Sequence, residues 1–458
     1  MNVEIGLEKL QKLSKELEPA ASELSSLFDD GSFTELYKFT NNGKSPLGVC
    51  AAYGTVDGVL TFAYRQSSGA DGAFGRAMAQ KIAKVYEMAG KMGAPVVAVL
   101  NSDGVHISEG IDAMEAYASL ISAAASLSGV VPQITVVSGS CIGSAAVLAS
   151  MADIVVMTKN SEMYVTSGTV LHNDKVGSAT LCAENGTAAL VVDDESAAFR
   201  KVAELIAFLP QNNLSLPLMA EYVPAEATVS STIPYEVFAA VCDKDSFCEL
   251  YEDHAKASVV GFARVNGSAV AVVATNTGSK KIPADAASKI ARFVRLCDAF
   301  SLPIVTFLDA DGIMGNQEDE LSGGVKCAAQ LCHAYAEATT PKITVITGAA
   351  CGAAYMAMAS RAGGIDSVFA WTTAYISAME PSAAVQFLKQ DELGKNDREK
   401  VLADYIDNEA SAFEAAKRGY IEDVINPMET APKLSIALDM LSSKRVSTLD
   451  KKHSNIQL

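Results

Sequence analysis

Residues 132–146 read PQITVVSGSCIGSAA, and residues 341–355 read PKITVITGAACGAAY. Seven of the fifteen aligned positions are identical, and the two stretches lie 209 residues apart. In each stretch a run rich in Ile, Val and Thr, which favours a buried strand, leads into glycine and small residues, which favour a closely packed helix. The same strand-to-helix junction is therefore predicted twice in the chain.

The repeat extends beyond these junctions. Leu100–Gly104 (LNSDG) is matched by Leu308–Gly312 (LDADG), and each follows an apolar run. A period of 209 residues is the length of a domain and is far longer than the repeats of solenoid proteins. We therefore predict two homologous domains, residues 1–225 and 226–458, with their boundary in the proline-bearing stretch 210–240.

Within each half, short β-branched runs alternate with segments of helical periodicity. Residues 94–100 (APVVAVL) and 153–157 (DIVVM) are typical of strands, whereas residues 75–92 and 111–127 space apolar residues three and four apart. Strands that alternate with helices predict an α/β domain around a mostly parallel sheet.

The composition allows a large core and argues against several classes of protein. Of 458 residues, 49% are hydrophobic, and 54 acidic against 36 basic residues give a net charge of −18. This charge opposes non-specific binding to nucleic acid or anionic lipid. No apolar run reaches the roughly 18–20 residues that span a bilayer, and the first residues lack the apolar core of a signal peptide. We therefore expect a cytoplasmic protein that does not span a membrane.

The cysteines and histidines give no sign of a metal site. The nine cysteines form no CxxC pair, and the five histidines are dispersed without metal-ligand spacing. Reduced thiols and no bound metal are expected.

The residues that could carry chemistry lie where predicted strands end. Each half pairs a glycine turn after one strand with a glycine and small-residue helix start after the next. Glycine permits close backbone approach, the start of a helix leaves N–H groups unpaired, and two converging amides can form an oxyanion hole that stabilises an enolate. The candidate segments are 102–110 and 139–145 in the first half and 309–313 and 348–354 in the second.

Two other interpretations of these glycines are available. Glycine also serves tight turns that have no chemical role, although the pairing of the junctions in both halves favours a site. Gly139–Gly143 (GSCIG) fits a nucleophile elbow, but the repeat has Ala350 opposite Cys141. A buried structural thiol at Cys141 is therefore favoured.

In their order along the chain, these motifs resemble those of a known family. It comprises the carboxyltransferase (β-type) subunits of biotin-dependent acyl-CoA carboxylases, transcarboxylases and acyl-CoA decarboxylases. Residues 102–110 are similar to the family's SGGARIQEG, 139–153 to GPCAGGAVYSPALTD, 334–346 to AYAEATVPKVTVI and 415–427 to AAxRGYIDDVIxP. The resemblance runs from about Leu27 to Leu458. It implies an α/β fold of two tandem crotonase-like (ClpP/crotonase) domains with ββα superhelical repeats.

The resemblance also implies an activity. A carboxyl group would move between carboxybiotin, held on a partner carrier protein, and the α-carbon of an acyl-CoA, through enolates held by backbone amides. The first domain would bind acyl-CoA at Gly104, Val105, Gly143 and Ser144. The second would bind the biotin cofactor at Gly312, Ile313, Gly352 and Ala353. No metal is implied, and the acyl group and the direction of the reaction stay open.

Partners follow from the same resemblance. They would be a biotin carboxyl carrier protein, a biotin carboxylase or membrane decarboxylase subunits, and further copies of this chain, from a dimer to a hexamer. An acidic chain could hold the CoA phosphates only with a local basic cluster. The candidates for that cluster are Arg65, Arg76, Lys81, Lys84 and Lys91.

The motifs depart from the family pattern at several positions. The family's DTPGF reads DADGI at 309–313, its KAYGGAY reads AACGAAY at 349–355, its GGAR arginine is His106, and its FTVxGGS loop is Ser67–Ala73. Backbone amides survive such replacements, so an oxyanion hole would be kept. The changed side chains would reshape the groove, and we therefore expect reduced or altered substrate use. The alternatives are a non-catalytic scaffold of a carboxylase or decarboxylase complex, and a crotonase-like CoA-ester enzyme that works without biotin.

Overall fold

The computed structural model describes residues 3–40, 47–67, 74–393 and 397–457. The chain divides into two compact units, Met1–Pro217 and Leu218–Leu458. This division falls within the predicted boundary stretch, eight residues before the predicted limit at 225, and residues 209–233 form turns and irregular structure. Most of the Ser67–Ala73 loop lies outside the described residues.

Unit 1 contains eight strands and seven α-helices among its described residues. The strands are β1 (Thr34–Leu36), β2 (Val49–Val56), β3 (Val59–Gln66), β4 (Val96–Ser102), β5 (Gln133–Ile142), β6 (Ile154–Thr158), β7 (Glu162–Tyr164) and β8 (Leu190–Val192). The helices are α1 (Val3–Ser25), α2 (Arg76–Met92), α3 (Ile111–Leu127), α4 (Ser144–Ser150), α5 (Gly168–Leu171), α6 (Ala179–Glu184) and α7 (Glu195–Phe208). A 3₁₀ turn covers Ile107–Glu109.

Unit 2 is built in the same manner. Its strands are β9 (Cys248–Leu250), β10 (Ser258–Val265), β11 (Ser268–Thr275), β12 (Lys281–Ile282), β13 (Ile304–Ala310), β14 (Gly312–Ile313), β15 (Lys342–Cys351), β16 (Ser367–Trp371), β17 (Tyr375–Ser377) and β18 (Asp423–Ile425). Its helices are α8 (Pro234–Val241), α9 (Ala284–Ala299), α10 (Gln317–Leu321), α11 (Gly324–Glu337), α12 (Gly352–Met358), α13 (Pro381–Leu388), α14 (Gln390–Leu393), α15 (Arg398–Tyr405), α16 (Ala412–Lys417) and α17 (Thr430–Leu441). A π-helix covers Ile406–Ala410, and a 3₁₀ turn covers Pro427–Glu429.

The two main sheets have matching strand orders. In unit 1 the order is β1-β2-β3-β4-β5-β6-β8, with β7 paired to β5, and in unit 2 it is β9-β10-β11-β13-β15-β16-β18, with β17 paired to β15. In both sheets the first three strands are antiparallel and the later ones parallel. The predicted duplication and the parallel-rich α/β fold are confirmed.

An aspartate side chain holds the first hairpin turn of each unit. Asp29 accepts hydrogen bonds from the amides of Asp57 (3.0 Å) and Gly58 (2.9 Å), and Asp243 accepts them from Asn266 (2.8 Å) and Gly267 (2.7 Å). Both residues of each turn have positive φ, which is the type I′ geometry that two-residue hairpins prefer and that Asp-Gly and Asn-Gly supply. The sequences Val56-Asp57-Gly58 (VDG) and Val265-Asn266-Gly267 (VNG), at equivalent positions of the two halves, thus encode this turn.

The central strands are apolar on both faces because helices cover both sides of each sheet. Strand β4 is buried along VVAVL, and β15 is buried along KITVIT. Burial of one large aliphatic or aromatic side chain contributes about 1.5–3 kcal/mol, so these strands anchor each sheet. This packing fixes where β4, β5, β13 and β15 end, and the candidate residues lie at those ends.

Candidate active site

In unit 1, the segment after β4 directs the N–H of Val105 away from Phe74, the residue with which Val105 is paired. Phe74 donates its N–H to Gly104 O (2.7 Å) and accepts from the N–H of His106 (2.8 Å). A residue in a parallel pair bonds to the two residues that flank its partner, so the N–H of Val105 itself points to the opposite side. Gly104, with φ of +88°, supplies the conformation, and its own N–H lies 3.3 Å from Ser102 Oγ.

The second half of this junction is the start of α4. Gly143 has φ of +62°, and its N–H donates to Tyr164 O (2.9 Å), so this amide is used within the β5–β7 ladder. Ser144 is the first residue of α4, and the N–H of that position has no partner inside the helix. A Cβ on Gly104 would lie 3.7 Å from Ile142 O, so the two segments are in contact. Of the four predicted residues, Gly104 and Gly143 have amides that are already hydrogen-bonded, whereas Val105 and Ser144 lie in these two contacting segments with N–H groups that point away from Phe74 or begin a helix.

Unit 2 repeats this arrangement. Strand β14 pairs with β12 so that Ile313 lies opposite Ile282, and Met314 donates its N–H to Ile282 O (2.6 Å). The N–H of Ile313 therefore points away from β12, as that of Val105 points away from Phe74. Gly312 has φ of +144°, and a Cβ built on it would have no heavy atom within 4 Å, so open space adjoins this turn.

The start of α12 completes the second junction. Gly352 has φ of +52°, and Ala353 follows within the first helical turn, where N–H groups have no intrahelical partner. Helices α4 and α12 have only seven residues each, so the individual amides matter more than any helix dipole. Helix α12 contacts β14, and this contact brings Ala353 and Ile313 into one region of the unit.

Two further glycines hold these junctions in place. Ser140 donates its N–H to Asn101 Oδ1 (3.1 Å), and Ala349 donates its N–H to Asp309 Oδ1 (2.8 Å). A Cβ on Gly139 or Gly348 would lie 2.4 Å from the side chain of Asn101 or Asp309, closer than any real contact. The GSC and GAA patterns thus make room for a side chain from the neighbouring strand.

A cavity lies beside each junction. The cavity of unit 2 has a volume of about 520 Å³ and is bounded by α12, β17, α16 and Gly352. The cavity of unit 1 has a volume of about 530 Å³ and is bounded by the equivalent elements α4, β7 and α6. The equivalence is exact at the helix caps, where Ser178 Oγ accepts from the N–H of Leu181 and Ser411 Oγ accepts from the N–H of Glu414.

The chemistry of the two linings differs. Both cavities have mainly apolar surfaces, and that of unit 1 has Val147, Met163, Leu171, Val176 and Leu181 among its lining residues. The unit 2 cavity adds charged groups, from Arg361, Glu409, Glu414 and Arg418. Leu181 and Asn185 of unit 1 correspond to Glu414 and Arg418 of unit 2.

A polar cluster adjoins the second junction. The hydroxyl of Tyr375 donates to Asp311 Oδ1 (2.6 Å), and Cys351 Sγ lies 4.0 Å from the same oxygen. Lys280 Nζ lies 5.9 Å from the centroid of the Tyr375 ring and 3.4 Å from Asp309 Oδ1. Sequence analysis singled out Asp311 but missed Tyr375 and Lys280, because they are distant from it in sequence. Tyr375 occupies the position that Glu162 has in unit 1, since it pairs with Ala349 as Glu162 pairs with Ser140.

The thiol beside the first junction is structural. Cys141 is completely buried, and burial raises the pKa of its thiol to about 12, so it is not a nucleophile at neutral pH. The prediction that it is a core thiol is confirmed. Near the same junction, Ser108 Oγ and His106 Nδ1 are 2.7 Å apart.

Two of the five basic residues considered for CoA lie in the core of unit 1. Arg65 is 8% exposed and pairs with Glu23 (2.8 Å) and Glu195 (2.6 Å), and Lys81 is 4% exposed and lies 3.8 Å from Glu35. The expectation that these two line a surface groove is wrong, because each is held inside the fold by carboxylates. Arg76, Lys84 and Lys91 are exposed, and Lys84 and Lys91 each pair with Glu87 (2.7 Å).

Two kinds of feature are absent from the described ranges. Among these residues, no helix has the length and apolar character to cross a membrane. Likewise, the part of the chain that the structure describes contains no group of three or more His, Cys, Asp or Glu side chains placed to hold a metal ion.

Comparison with known proteins agrees with this architecture. Residues 18–456 match the family described as carboxyl transferase domain. The chain is 35% identical over 476 residues to the methylmalonyl-CoA decarboxylase subunit alpha of Veillonella parvula, with 96% of this chain and 93% of that protein covered. It is also 35% identical over 482 residues to the propionyl-CoA carboxylase carboxyltransferase subunit of Haloferax mediterranei, with the same coverage.

Solved structures give the same result. The transcarboxylase 12S structure, a hexamer assembly with hydrolysed methylmalonyl-coenzyme A bound, superposes with a TM-score of 0.93 at 30% identity. The match covers 100% of this chain and 98% of that one. A single-chain long-chain acyl-CoA carboxylase shares the fold, with a TM-score of 0.82 at 20% identity over 95% of this chain and 49% of that one. The expected pair of crotonase-like domains is confirmed, and the chain belongs to the carboxyl transferase domain family.

Proposed function

We propose that this chain is the carboxyltransferase component of a biotin-dependent acyl-CoA carboxylase or decarboxylase. It moves a carboxyl group between carboxybiotin on a partner carrier protein and the α-carbon of an acyl-CoA. The observation that carries this proposal is the duplicated amide pair, Val105 with Ser144 and Ile313 with Ala353, each in a unit whose short helix, α4 or α12, borders a cavity. Two such sites suit a reaction that passes a carboxyl group between two carbonyl compounds, since negative charge develops on the oxygen of each.

Unit 1 would hold the acyl-CoA. Loss of the carboxyl group, or of the α-proton before a carboxyl group is added, leaves negative charge on the thioester oxygen as an enolate, and two convergent N–H groups stabilise that charge where it develops. Val105 and Ser144 would supply these donors. The largely apolar cavity beside α4 suits an acyl group, and the printed names of the relatives point to propionyl-CoA and methylmalonyl-CoA as substrates to test.

Unit 2 would hold the biotin group. Biotin, when bound, supplies a ring nitrogen that carries the carboxyl group in labile form. The residues of unit 2 fit a flat urea ring, since open space adjoins Gly312 and the Ile313 amide beside it points away from β12. Ile313 and Ala353 would donate to the urea oxygen, and Gly312 and Gly352 would let the ring approach the backbone.

The partners belong to the same proposal. The carboxyl carrier would be a biotinylated protein, and a biotin carboxylase or membrane decarboxylase subunits would complete the system. Further copies of this chain, from a dimer to a hexamer, would form the core. The transcarboxylase 12S structure is itself a hexamer.

The test is biotin-dependent transfer by the purified chain. Methylmalonyl-CoA and free biotin are mixed with the protein, and formation of propionyl-CoA is followed by chromatography. We expect propionyl-CoA only when biotin is present. Propionyl-CoA formed equally without biotin would indicate the crotonase-like alternative, and no product from malonyl-, methylmalonyl- or glutaconyl-CoA as the carboxyl donor would indicate the scaffold.

The variant pair Ser144→Pro and Ser144→Ala sharpens this test. Proline is accepted at the first position of a helix but has no N–H, whereas alanine keeps the amide and loses the hydroxyl. Loss of one oxyanion donor costs about 10²–10³ in rate. We expect that loss for Ser144→Pro and a change below about threefold for Ser144→Ala, with matched melting temperatures confirming that both variants fold.

A further inference from the structure

Asp311 and Tyr375 form a side-chain pair that joins the two segments of the second junction. The Tyr375 hydroxyl donates to Asp311 Oδ1 at 2.6 Å, and both residues are half-buried. Asp311 directly precedes Gly312 and Ile313, whereas Tyr375 lies on β17, opposite Ala349 of β15. The pair therefore sits between the turn that carries the Ile313 amide and the strand that leads into α12.

The pair is fixed from several directions. Asp311 donates its N–H to Lys280 O (2.6 Å), and the Lys280 ammonium lies near the face of the Tyr375 ring. Cys351 Sγ, 4.0 Å from Asp311 Oδ1, approaches the same oxygen that accepts from Tyr375. Oδ2 of Asp311 takes part in neither of these contacts, so the carboxylate is oriented through one oxygen and can accept through the other.

Tyr375 remains a donor over the whole physiological range. Burial, and next the hydrogen bond to the Asp311 carboxylate, raise the pKa of Tyr375 well above its usual value. The phenol therefore keeps its proton at neutral pH and continues to hold Asp311.

The pair distinguishes unit 2 from unit 1. Tyr375 and Glu162 are equivalent, since each forms an isolated bridge to a helix-capping serine, Ser411 of α16 or Ser178 of α6. In unit 1 this position holds a carboxylate that accepts from Ser140 Oγ (3.1 Å) instead of a phenol that donates. At position 311 the family pattern DTPGF has proline, so the carboxylate is an addition in this chain.

We propose that Asp311 accepts a hydrogen bond from the ring N–H of the cyclic urea of biotin, and that Tyr375 is the positioning residue that orients its carboxylate. The proposal rests on the proposed function, in which the amides of Ile313 and Ala353 hold the urea oxygen. A cyclic urea presents one acceptor oxygen and, on the ring nitrogen that carries no carboxyl group, one N–H donor. Amide donors and a carboxylate acceptor side by side match both groups. Asp311 is thereby a specificity-determining residue for the group that carries the carboxyl.

A binding experiment tests this without reference to turnover. The ligands are biotin methyl ester and the same ester methylated on the ring nitrogen that does not carry the carboxyl group, titrated calorimetrically into the full chain. A hydrogen bond to a charged acceptor corresponds to about ten- to hundredfold in affinity. We expect wild type to prefer the unmethylated ester by about tenfold or more, and Asp311→Asn to bind the two esters within about threefold of each other.

Tyr375→Phe tests the positioning role, and Tyr235→Phe is its matched control. Tyr235 also donates to a carboxylate, Glu249 (3.1 Å), but it belongs to α8, which lies by the opposite edge strand β9. We expect Tyr375→Phe to weaken binding of the unmethylated ester about threefold to tenfold with little effect on the methylated one. Tyr235→Phe should leave both affinities unchanged.

Steady-state kinetics separate the failure of this proposal from failure of the proposed function. In the transfer assay, Asp311→Asn should raise the KM for free biotin about tenfold or more and leave the KM for methylmalonyl-CoA within twofold. Active wild type with equal ester affinities, or tighter ester binding by Asp311→Asn, overturns the role of Asp311 alone. A wild type that binds neither ester and transfers nothing overturns both proposals.

Discussion

Unit 1 and unit 2 share their backbone design but differ in the side chains around it. Both have the same strand order, the same irregularity before the glycine turn, and a seven-residue helix after the second junction. Around this frame, both cavities are mainly apolar, but charged residues are part of the lining in unit 2 only, and unit 2 has the Asp311–Tyr375 pair. Under the proposed function, the main chain would provide the common chemistry, and the side chains would decide which partner each unit takes.

The largest expected effect comes from removing one amide donor in unit 2. Ala353→Pro removes an N–H in the first turn of α12, where proline is tolerated, and should lower the transfer rate about 10²–10³-fold. The matched control is Ala353→Ser, which introduces the residue found at the equivalent position 144 and should retain activity within about threefold. If the two units act on different partners, Ala353→Pro will leave methylmalonyl-CoA binding, measured by calorimetry, unchanged. Loss of that binding would contradict the division of roles.

The next effect concerns stability. In Gly348→Ala, the new Cβ would lie 2.4 Å from Asp309, which is 2% exposed and fixed by Ala349 and by Asn276 Nδ2 (2.6 Å). We expect a loss of about 2–4 kcal/mol in the free energy of unfolding, measured by urea denaturation. Gly139→Ala has the same clash with Asn101, which is only half-buried and has more room to move, so its loss should be smaller. Equal losses would show that the burial of Asp309 is unimportant.

A pH-dependent effect on stability is expected from the buried lysine of unit 2. Lys289 donates to the carbonyls of Tyr251, His254 and Ser258 at 2.8–2.9 Å, and burial lowers its pKa to about 8 from an ordinary 10.5. The unfolded chain then holds this proton where the folded chain does not, so the free energy of unfolding should rise as the pH increases from 8 to 10.5.

The measurement is urea denaturation of wild type and Lys289→Met across that range. The contribution of Lys289 should be on the order of 1–3 kcal/mol, absent in the variant. Lys81, at the equivalent position of unit 1, faces the Glu35 carboxylate instead of carbonyls, and burial lowers its pKa as well. Lys81→Met is the comparison variant from unit 1. If the free energy of unfolding of Lys289→Met depended on pH as that of wild type does, the assignment of this effect to Lys289 would be contradicted.

The smallest effect is an exchange of cavity linings. Leu181→Glu puts the unit 2 residue into the unit 1 cavity and should raise the KM for methylmalonyl-CoA about threefold to tenfold, because the new carboxylate repels the carboxylate that the acyl group carries. The reverse change, Glu414→Leu, should affect the KM for free biotin and leave that for methylmalonyl-CoA unaltered. If Leu181→Glu instead changed the KM for free biotin and Glu414→Leu that for methylmalonyl-CoA, biotin would be assigned to the unit 1 cavity and the acyl group to the unit 2 cavity.

Much of this architecture could be predicted from the sequence because it depends on local pattern. Helix α3 covers Ile111–Leu127, as its apolar spacing predicts, and the hairpin turns occur at VDG and VNG. The candidate amides could be located for the same reason, since a glycine turn after a strand is a local signal.

What could not be predicted depends on contacts between distant residues. Asp311 and Tyr375 are 64 residues apart, and only the folded β15–β17 pairing brings them together. Arg65 and Lys81 look like surface charges because nothing near them in sequence reveals their partners Glu195 and Glu35. The use of the Gly143 amide by Tyr164 O is likewise a property of the sheet and not of the glycine motif.

The packing of Asn101 and Asp309 against Gly139 and Gly348 has an evolutionary consequence. These two glycines do not depend on catalysis, since any larger residue there would push a neighbouring strand out of place. In descendants that lose the reaction, selection on folding alone would retain both glycines while the amide-bearing residues drift. Gly139 and Gly348, which lie 209 residues apart, would then preserve sequence evidence that the two halves arose by duplication.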